Sequence, residues 1–221
     1  MDIAKAIRLR KSIRRFKPIP IPREILQDVL ETAVRAPSGM NTQPWEIFVI
    51  QGKALEALKK ANVELLLSGA PARTDIPSIT FEGAYRRRQV ELAIQLFNLM
   101  GIARDDKEKR KDWGQRGYRF FDAPAAIFLC IDSSLENAPT SLLDIGSIMQ
   151  TICLAAIDKG LGTCIEGQGG MYSDAVRKLT GMSPSKRIAT CIAIGYPDWD
   201  FPANNVQTPR EPLDKVVTWV E

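Results

Sequence analysis

Apolar residues change their spacing several times along the chain, and each change marks an expected element. Asp2 can cap a short helix running towards Leu9. Behind Pro22, Ile25, Val29 and Ala33 recur at i, i+4 with Leu26 and Leu30 beside them, which predicts a second, amphipathic helix. Residues 37–44, PSGMNTQP, carry turn and loop chemistry throughout and lead directly into WEIFVI at 45–50, a compact β-type run. A helix over about 53–67, a loop over 69–80 with Pro71 and Pro77, and a helix over about 85–100 closed by Gly101 follow. From Arg104 to Arg119 both charge signs mix, as on a solvated helix.

The second half is more apolar. AAIFLCI at 125–131 lacks alternation, so it predicts a strand buried on both faces, and Leu142 to Ile157 predicts a long core helix with little charge inside. TCIEG leads into a glycine-rich turn at 167–170, a helix is expected over about 172–179, and IATCIAIGY at 188–196 reads as another buried strand. Four prolines lie between Pro197 and Pro212. VVTWV at 216–220 then reads as a strand far from any sequential partner, an arm that would pair elsewhere, for example in another subunit. Helices and strands are interspersed without repeats, and residues 1–221 read as a single domain.

Composition narrows the chemistry. The 221 residues contain no histidine, which excludes an imidazole base, a Ser-His-Asp or Cys-His pairing and any histidine metal ligand. Cys130, Cys153, Cys164 and Cys191 form no C-x-x-C pair. Three of them sit in apolar runs, as buried thiols in a reducing compartment do, so a cytoplasmic location is expected. The first thirty residues hold no continuous apolar stretch, and no run approaches the roughly 18 residues of a membrane span. The net charge of +4 is mild, but six of the ten residues from Arg8 to Lys17 are basic and none is acidic.

Three constellations carry candidate chemistry. In Arg10-Lys11-Ser12-Ile13-Arg14-Arg15, several cations and a hydroxyl can surround a phosphate; a solvated basic turn or a nucleic-acid contact would read the same way. The loop from Pro37 to Trp45 offers backbone N–H groups, hydroxyls and the amides of Asn41 and Gln43 to a planar ligand, or is an ordinary connection. In Gly162 to Gly170, glycines allow close backbone approach, although neither G-x-G-x-x-G nor a Walker sequence occurs.

In this order the three resemble the FMN-dependent nitroreductase family over nearly the whole chain. The matching residues are R-x-S-x-R-x-F as Arg10, Ser12, Arg14 and Phe16, A-P-S-x-x-N-x-Q-P-W as Ala36 to Trp45, the G-L-G-T-C segment ending at Cys164, and Arg210 in TPREPLD. AYRRRQ at 84–89, MGIARDD at 100–106 and RFFDAP at 119–124 look like the branch that includes nitrobenzoate reductases. The resemblance implies an α+β fold, with a central mixed sheet flanked by helices, in an intertwined homodimer whose C-terminal arms exchange. It implies FMN sites in the subunit interface: Arg10, Ser12, Arg14 and Arg210 on the phosphate with help from Lys11, and Pro37, Ser38, Gly39 and Asn41 lining the flavin from the other subunit. Glu166 and Gly167 would place backbone N–H groups near the flavin N5 and O4 edge. Relatives often read the flavin pyrimidine with an asparagine and a lysine, where this chain offers Arg73 or Arg86 to Arg88.

FMN chemistry needs no histidine. NADH or NADPH and a nitroaromatic or quinone acceptor would use one flavin face in turn, with ping-pong kinetics, and Gln43, Tyr118, Phe120 and Phe121 either border that face or pack in the core. Dehalogenation, enone reduction or dehydrogenation on the same fold is the alternative, followed by a nucleotide- or nucleic-acid-binding module, which the mild charge opposes. The expected partners are a second copy of the chain and a small-molecule acceptor, with neither nucleic acid nor membrane.

Overall fold

The architecture is that of a computed structural model, which describes residues 1–77 and 79–221. Four strands form one sheet in the order β1-β2-β4-β3: β1 (Glu46–Gln51), β2 (Ala125–Asp132), β3 (Gly162–Glu166) and β4 (Lys186–Gly195). Every ladder is antiparallel, and among the described residues parallel pairing is confined to two isolated bridges, Ser12 with Thr163 and Arg73 with Tyr172. The expected mixed sheet is therefore antiparallel in its named strands, because no right-handed crossover joins neighbouring strands and the N-terminal segment contributes a bridge rather than a strand.

Eight helices surround the sheet among the described residues: α1 (Ile3–Leu9), α2 (Arg23–Ala33), α3 (Gly52–Leu67), α4 (Gly83–Leu99), α5 (Lys107–Gln115), α6 (Pro139–Asp158), α7 (Ser173–Thr180) and the single turn α8 (Leu213–Val216). The side chain of Asp2 caps α1 by accepting the Lys5 N–H, as its position at the apolar boundary requires. The core lies on both sheet faces. Ile127, Leu129 and Ile192 meet α2 and α6 on one side, and Phe128, Cys130 and Cys191 meet Leu55, Leu58 and Val176 of α3 and α7 on the other. This two-sided burial explains the lack of alternation in β2. All four cysteines are free and buried.

Helix α6, at 20 residues, is long and apolar enough to cross a membrane by length and composition, which amends the expectation that no segment approaches a span. Ile145, Ile148, Ile152 and Ala156 of this helix are buried in the sheet-facing core.

Two further expectations change. The mixed-charge region 104–119 is helical only over α5; a 3-10 segment, Gly117–Asp122, follows, in which Phe120, Phe121 and Asp122 adopt left-handed φ of 54°, 53° and 62°. The C-terminal VVTWV run forms no ladder within the chain. It turns once in α8 and continues extended at Val217, with Trp219 79% and Val220 92% exposed. The loop expected at 69–80 includes Ser78, which lies outside the described residues.

Candidate flavin-binding site

The basic segment leaves α1 at Arg10, whose N–H still closes on the Ala6 carbonyl, and runs extended along the outer edge of β3. Ile13 donates its N–H to the Thr163 carbonyl at 2.9 Å. Its side chain and that of Phe16 are both 2% exposed. Glycine is required where they land: a Cβ on Gly162 would stand 2.6 Å from Ile13 Cγ1, and one on Gly195 would stand 2.9 Å from Phe16 Cδ1. With Ile13 turned into the core, the period of two places Ser12 and Arg14 on the other face.

Arg10, Lys11 and Arg14 make no ion pair among the described residues. Arg14 is half-buried, and its guanidinium pKa is pushed down chiefly by that burial, with the neighbouring Cys164 acting in the opposite sense. Burial also lowers the Lys11 pKa, and the charge of Arg14 adds to it. Uncompensated cations beside a hydroxyl are the donor set of an anion site. The Lys11 Nζ donates to the Asn204 carbonyl at 2.9 Å.

The segment is stapled from behind by residues that the sequence did not single out. Fully buried Asn204 accepts the Arg14 N–H on Oδ1 at 2.6 Å and donates from Nδ2 to the carbonyls of Arg15 at 2.9 Å and Asp198 at 2.7 Å. Arg116, with its side chain 6% exposed, donates to the Arg14 carbonyl at 2.9 Å and lies over the Phe201 ring. Asp122 collects Arg15, Arg116 and Arg119 at 3.0, 3.3 and 3.5 Å. A polar residue such as Asn204, in a proline-rich stretch about 190 residues away, carries no local signal of this role; only its burial reveals it.

At the end of β3, roughly 10 Å along the strand from Thr163, the chain turns through Gly167–Gly170. Glu166 accepts the Gly169 N–H on Oε2 at 2.9 Å and Oε1 at 3.2 Å. Gly169 could not carry a side chain, because a Cβ there would lie 2.2 Å from Phe120 Cε1. Asn62, fully buried on α3, donates to the carbonyls of Gly169 and Tyr118 at 3.0 and 3.3 Å. Gly167 itself is exposed, and its N–H has no partner among the described residues. Burial pushes the Glu166 carboxyl up to about 7, against hydrogen bonds from Cys191 and from the Gly169 and Gln168 amides. It pushes the Cys164 thiol up to about 12. The first and third constellations are thus brought together on β3.

The second is held apart within the chain. Ser38 Oγ accepts the Gln43 N–H at 2.9 Å, and Gly39 N–H donates to Asp144 of α6 at 3.1 Å. Met40, Asn41 and Gln43 take left-handed φ near 50°, and Met40 is fully exposed. Pro37, Gly39, Asn41 and Gln43 all face solvent, and among the described residues their hydrogen bonds do not reach the basic segment or the Gly167 turn. Arg210 is likewise separate: its Nη1 donates to Thr208 Oγ1 and to the Thr208 and Pro209 carbonyls, each at 3.0 Å.

The aromatic candidates are buried within the chain. Phe120 is fully buried against Phe128 and Phe121 is 8% exposed, both in the core under the sheet, because their left-handed backbone turns the rings inward. Tyr118, also 8% exposed, donates its hydroxyl to Met171 Sδ at 3.1 Å. Arg73 bridges Tyr172 through its backbone, while Arg86, Arg87 and Arg88 lie on the exposed face of α4, paired with Gln89, Glu91 and Glu211.

Residues 7–196 match the model of the Nitroreductase family. The chain is 30% identical over 219 residues to the 4-nitrobenzoate reductase of Nocardioides sp. (strain LMS-CY), covering 97% of this chain and 88% of that protein. It is 31% identical to the nitrobenzene nitroreductase of Ectopseudomonas oleovorans, with 97% and 95% covered. Its fold superposes at a TM-score of 0.91, at 30% identity and with both chains fully covered, on the FMN-dependent nitroreductase NfnB from Mycobacterium smegmatis, whose crystal structure is in complex with NADPH. A basic segment and a glycine turn that converge on one antiparallel sheet are thus matched in sequence and in fold, and the chain belongs to the nitroreductase family.

Proposed function

We propose that the protein is an FMN-dependent NAD(P)H oxidoreductase that reduces nitroaromatic compounds and works as a homodimer. The observation that carries this reading is the uncompensated, partly buried cation set Arg10, Lys11 and Arg14 around Ser12, on the strand that ends in the Glu166–Gly167 turn. The residues fit the cofactor: guanidinium and hydroxyl donors suit a phosphate monoester, and the free Gly167 N–H suits a ring acceptor. When bound, FMN supplies hydride acceptance and redelivery. The chain's own part is to hold the phosphate through Arg10, Ser12 and Arg14, to aim Gly167 at the ring edge, and to keep positive charge nearby. Its relatives' names, which include a 4-nitrobenzoate reductase, a nitrobenzene nitroreductase and a chloronitrobenzene nitroreductase, support nitroaromatics as the acceptor class.

The dimer completes the site. Pro37, Ser38, Gly39 and Asn41, solvent-facing or half-buried in one chain, line the flavin of the second copy with Gln43 beside the substrate, and Arg210 reaches the phosphate once the arm is docked. The arm has one sheet edge available. The outer edge of β3 already holds Ser12 and Ile13, whereas β1 is unpaired on its outer side and borders a groove of about 580 Å³ lined by Leu26, Leu30, Val34 and Val49. An open edge with an apolar floor is the kind of surface that a second chain's strand covers.

The test is direct. Purified protein shows the visible flavin bands, anaerobic NADH or NADPH bleaches them in stopped flow, and a nitroaromatic restores them, with parallel double-reciprocal plots. A flavin that stays oxidised with both nucleotides overturns the reading.

A further inference from the structure

Glu166 and Cys191 are directly opposed in the β3–β4 ladder, so their side chains share one sheet face. Cys191 Sγ lies 3.0 Å from Glu166 Oε1 and 3.1 Å from the Glu166 carbonyl oxygen, and the thiol is fully buried. The carboxyl forms no ion pair among the described residues; its donors are the Gly169 and Gln168 amides and this thiol. The groups that feel its charge are Cys191 on β4, Cys164 on β3 and Tyr118 in the 3-10 segment, and Arg14 acts on Cys164. A carboxylate enclosed without a cation needs every donor within reach, and among the described residues the thiol is the one side-chain donor that it has.

We propose that Cys191 is a positioning residue: its thiol donates to the Glu166 carboxylate and fixes it against the Gly169 N–H, so that the turn presents the Gly167 N–H in one orientation. This rests on the reading above that Gly167 borders the flavin edge. Among the described residues, further supports of the turn are Phe120 against Gly169, Asn62 on the Gly169 carbonyl, and the Gln168 side-chain amide, which donates to the Gly114 carbonyl at 3.4 Å. Only the Glu166 clamp acts from the strand that leads into it, and β4 supplies its anchor. No bond is made or broken; one proton is shared between thiol and carboxylate.

Two measurements test it. In protein freed of FMN, the infrared S–H band of Cys191 is identified by its loss in Cys191→Val. It lies at low frequency, as for a thiol donating to a carboxylate, and moves up in Glu166→Gln; an S–H band that Glu166→Gln leaves in place overturns the proposal. In the FMN-bound protein, flavin fluorescence titrates with an inflection near the Glu166 value of about 7. Cys191→Ser, which keeps a donor, retains that inflection, whereas Cys191→Val raises it by about one pH unit, the effect of one lost bond to a charged acceptor. An inflection equal in wild type and Cys191→Val overturns the positioning role, and a merely structural cysteine would lower the melting temperature without moving it. If wild type takes up no FMN, the functional reading fails while the S–H result still decides the clamp.

Discussion

Asn204 and Arg14 are joined side chain to backbone across 190 residues, with the Arg14 N–H donating to Asn204 Oδ1 at 2.6 Å. The bond sets the course of the basic segment, because the Asn204 amide also holds the next carbonyl, that of Arg15. Replacing Asn204 by Ala strips three buried backbone groups of their partner. The variant is expected to lose about 2–4 kcal/mol of stability. Urea unfolding at constant m-value checks this, and FMN affinity falls with it as the segment loosens.

Arg14→Ala removes one cation from the phosphate set without touching that staple, since the staple uses the Arg14 backbone. The expected loss is roughly 1.5–3 kcal/mol of FMN binding, about ten- to a hundred-fold in Kd. Fluorescence titration measures it, and unchanged affinity removes Arg14 from the phosphate site.

Truncation after Pro212 deletes Leu213 to Glu221, the stretch whose Leu213, Val216, Trp219 and Val220 are exposed in the single chain. Light scattering is expected to show loss of the dimer together with the flavin. A stable, flavin-bound monomer contradicts both the arm and its proposed place on β1.

The Glu166 carboxyl is raised to about 7 in the fold from an ordinary value of 4.5, so the folded state binds this proton more tightly than the unfolded chain does. Its contribution is therefore neutral below the ordinary value and increasingly unfavourable as pH rises through the interval, reaching about 3 kcal/mol above the folded value. Glu166→Gln abolishes that slope. Denaturation of FMN-free protein at several pH values should show the variant gaining on wild type between about pH 4.5 and 7, and parallel curves would refute the raised carboxyl.

Much of this was legible in the residues. Helices such as α2 and α6 and the strands β2 and β4 follow from apolar spacing, because their buried faces are local in sequence. The basic segment and the Glu166 turn carry compositional signals, and the structure brings both to β3, a meeting that their composition does not announce. Asn204, Arg116 and Asn62 were not legible, since each acts through main-chain groups far away in sequence, and such bonds leave no periodicity. Phe120 and Phe121 left two readings open for a related reason: an aromatic cluster reads alike in a core and at a pocket, and the left-handed backbone on which these two sit in the core has no glycine to announce it. The terminal run reads as a strand from its composition alone, and among the described residues it turns once in α8 and pairs with no strand of the chain.

The three left-handed residues Phe120 to Asp122 each sit in a conformation that costs roughly 1–3 kcal/mol for a side chain other than glycine. What offsets the cost at Asp122 is charge, through Arg15, Arg116 and Arg119, and two of those arginines are partly open to solvent. Mobile ions weaken such pairs while leaving the aromatic packing intact or strengthened. Ionic strength therefore loosens this corner while leaving the apolar core in place: amides around 119–123 should exchange with deuterium faster in concentrated sodium chloride while those of the buried β2 stay protected. Because Arg116 also holds the Arg14 carbonyl, the same loosening reaches the phosphate-binding segment, and cofactor retention becomes salt-sensitive beyond what screening of the phosphate alone would produce.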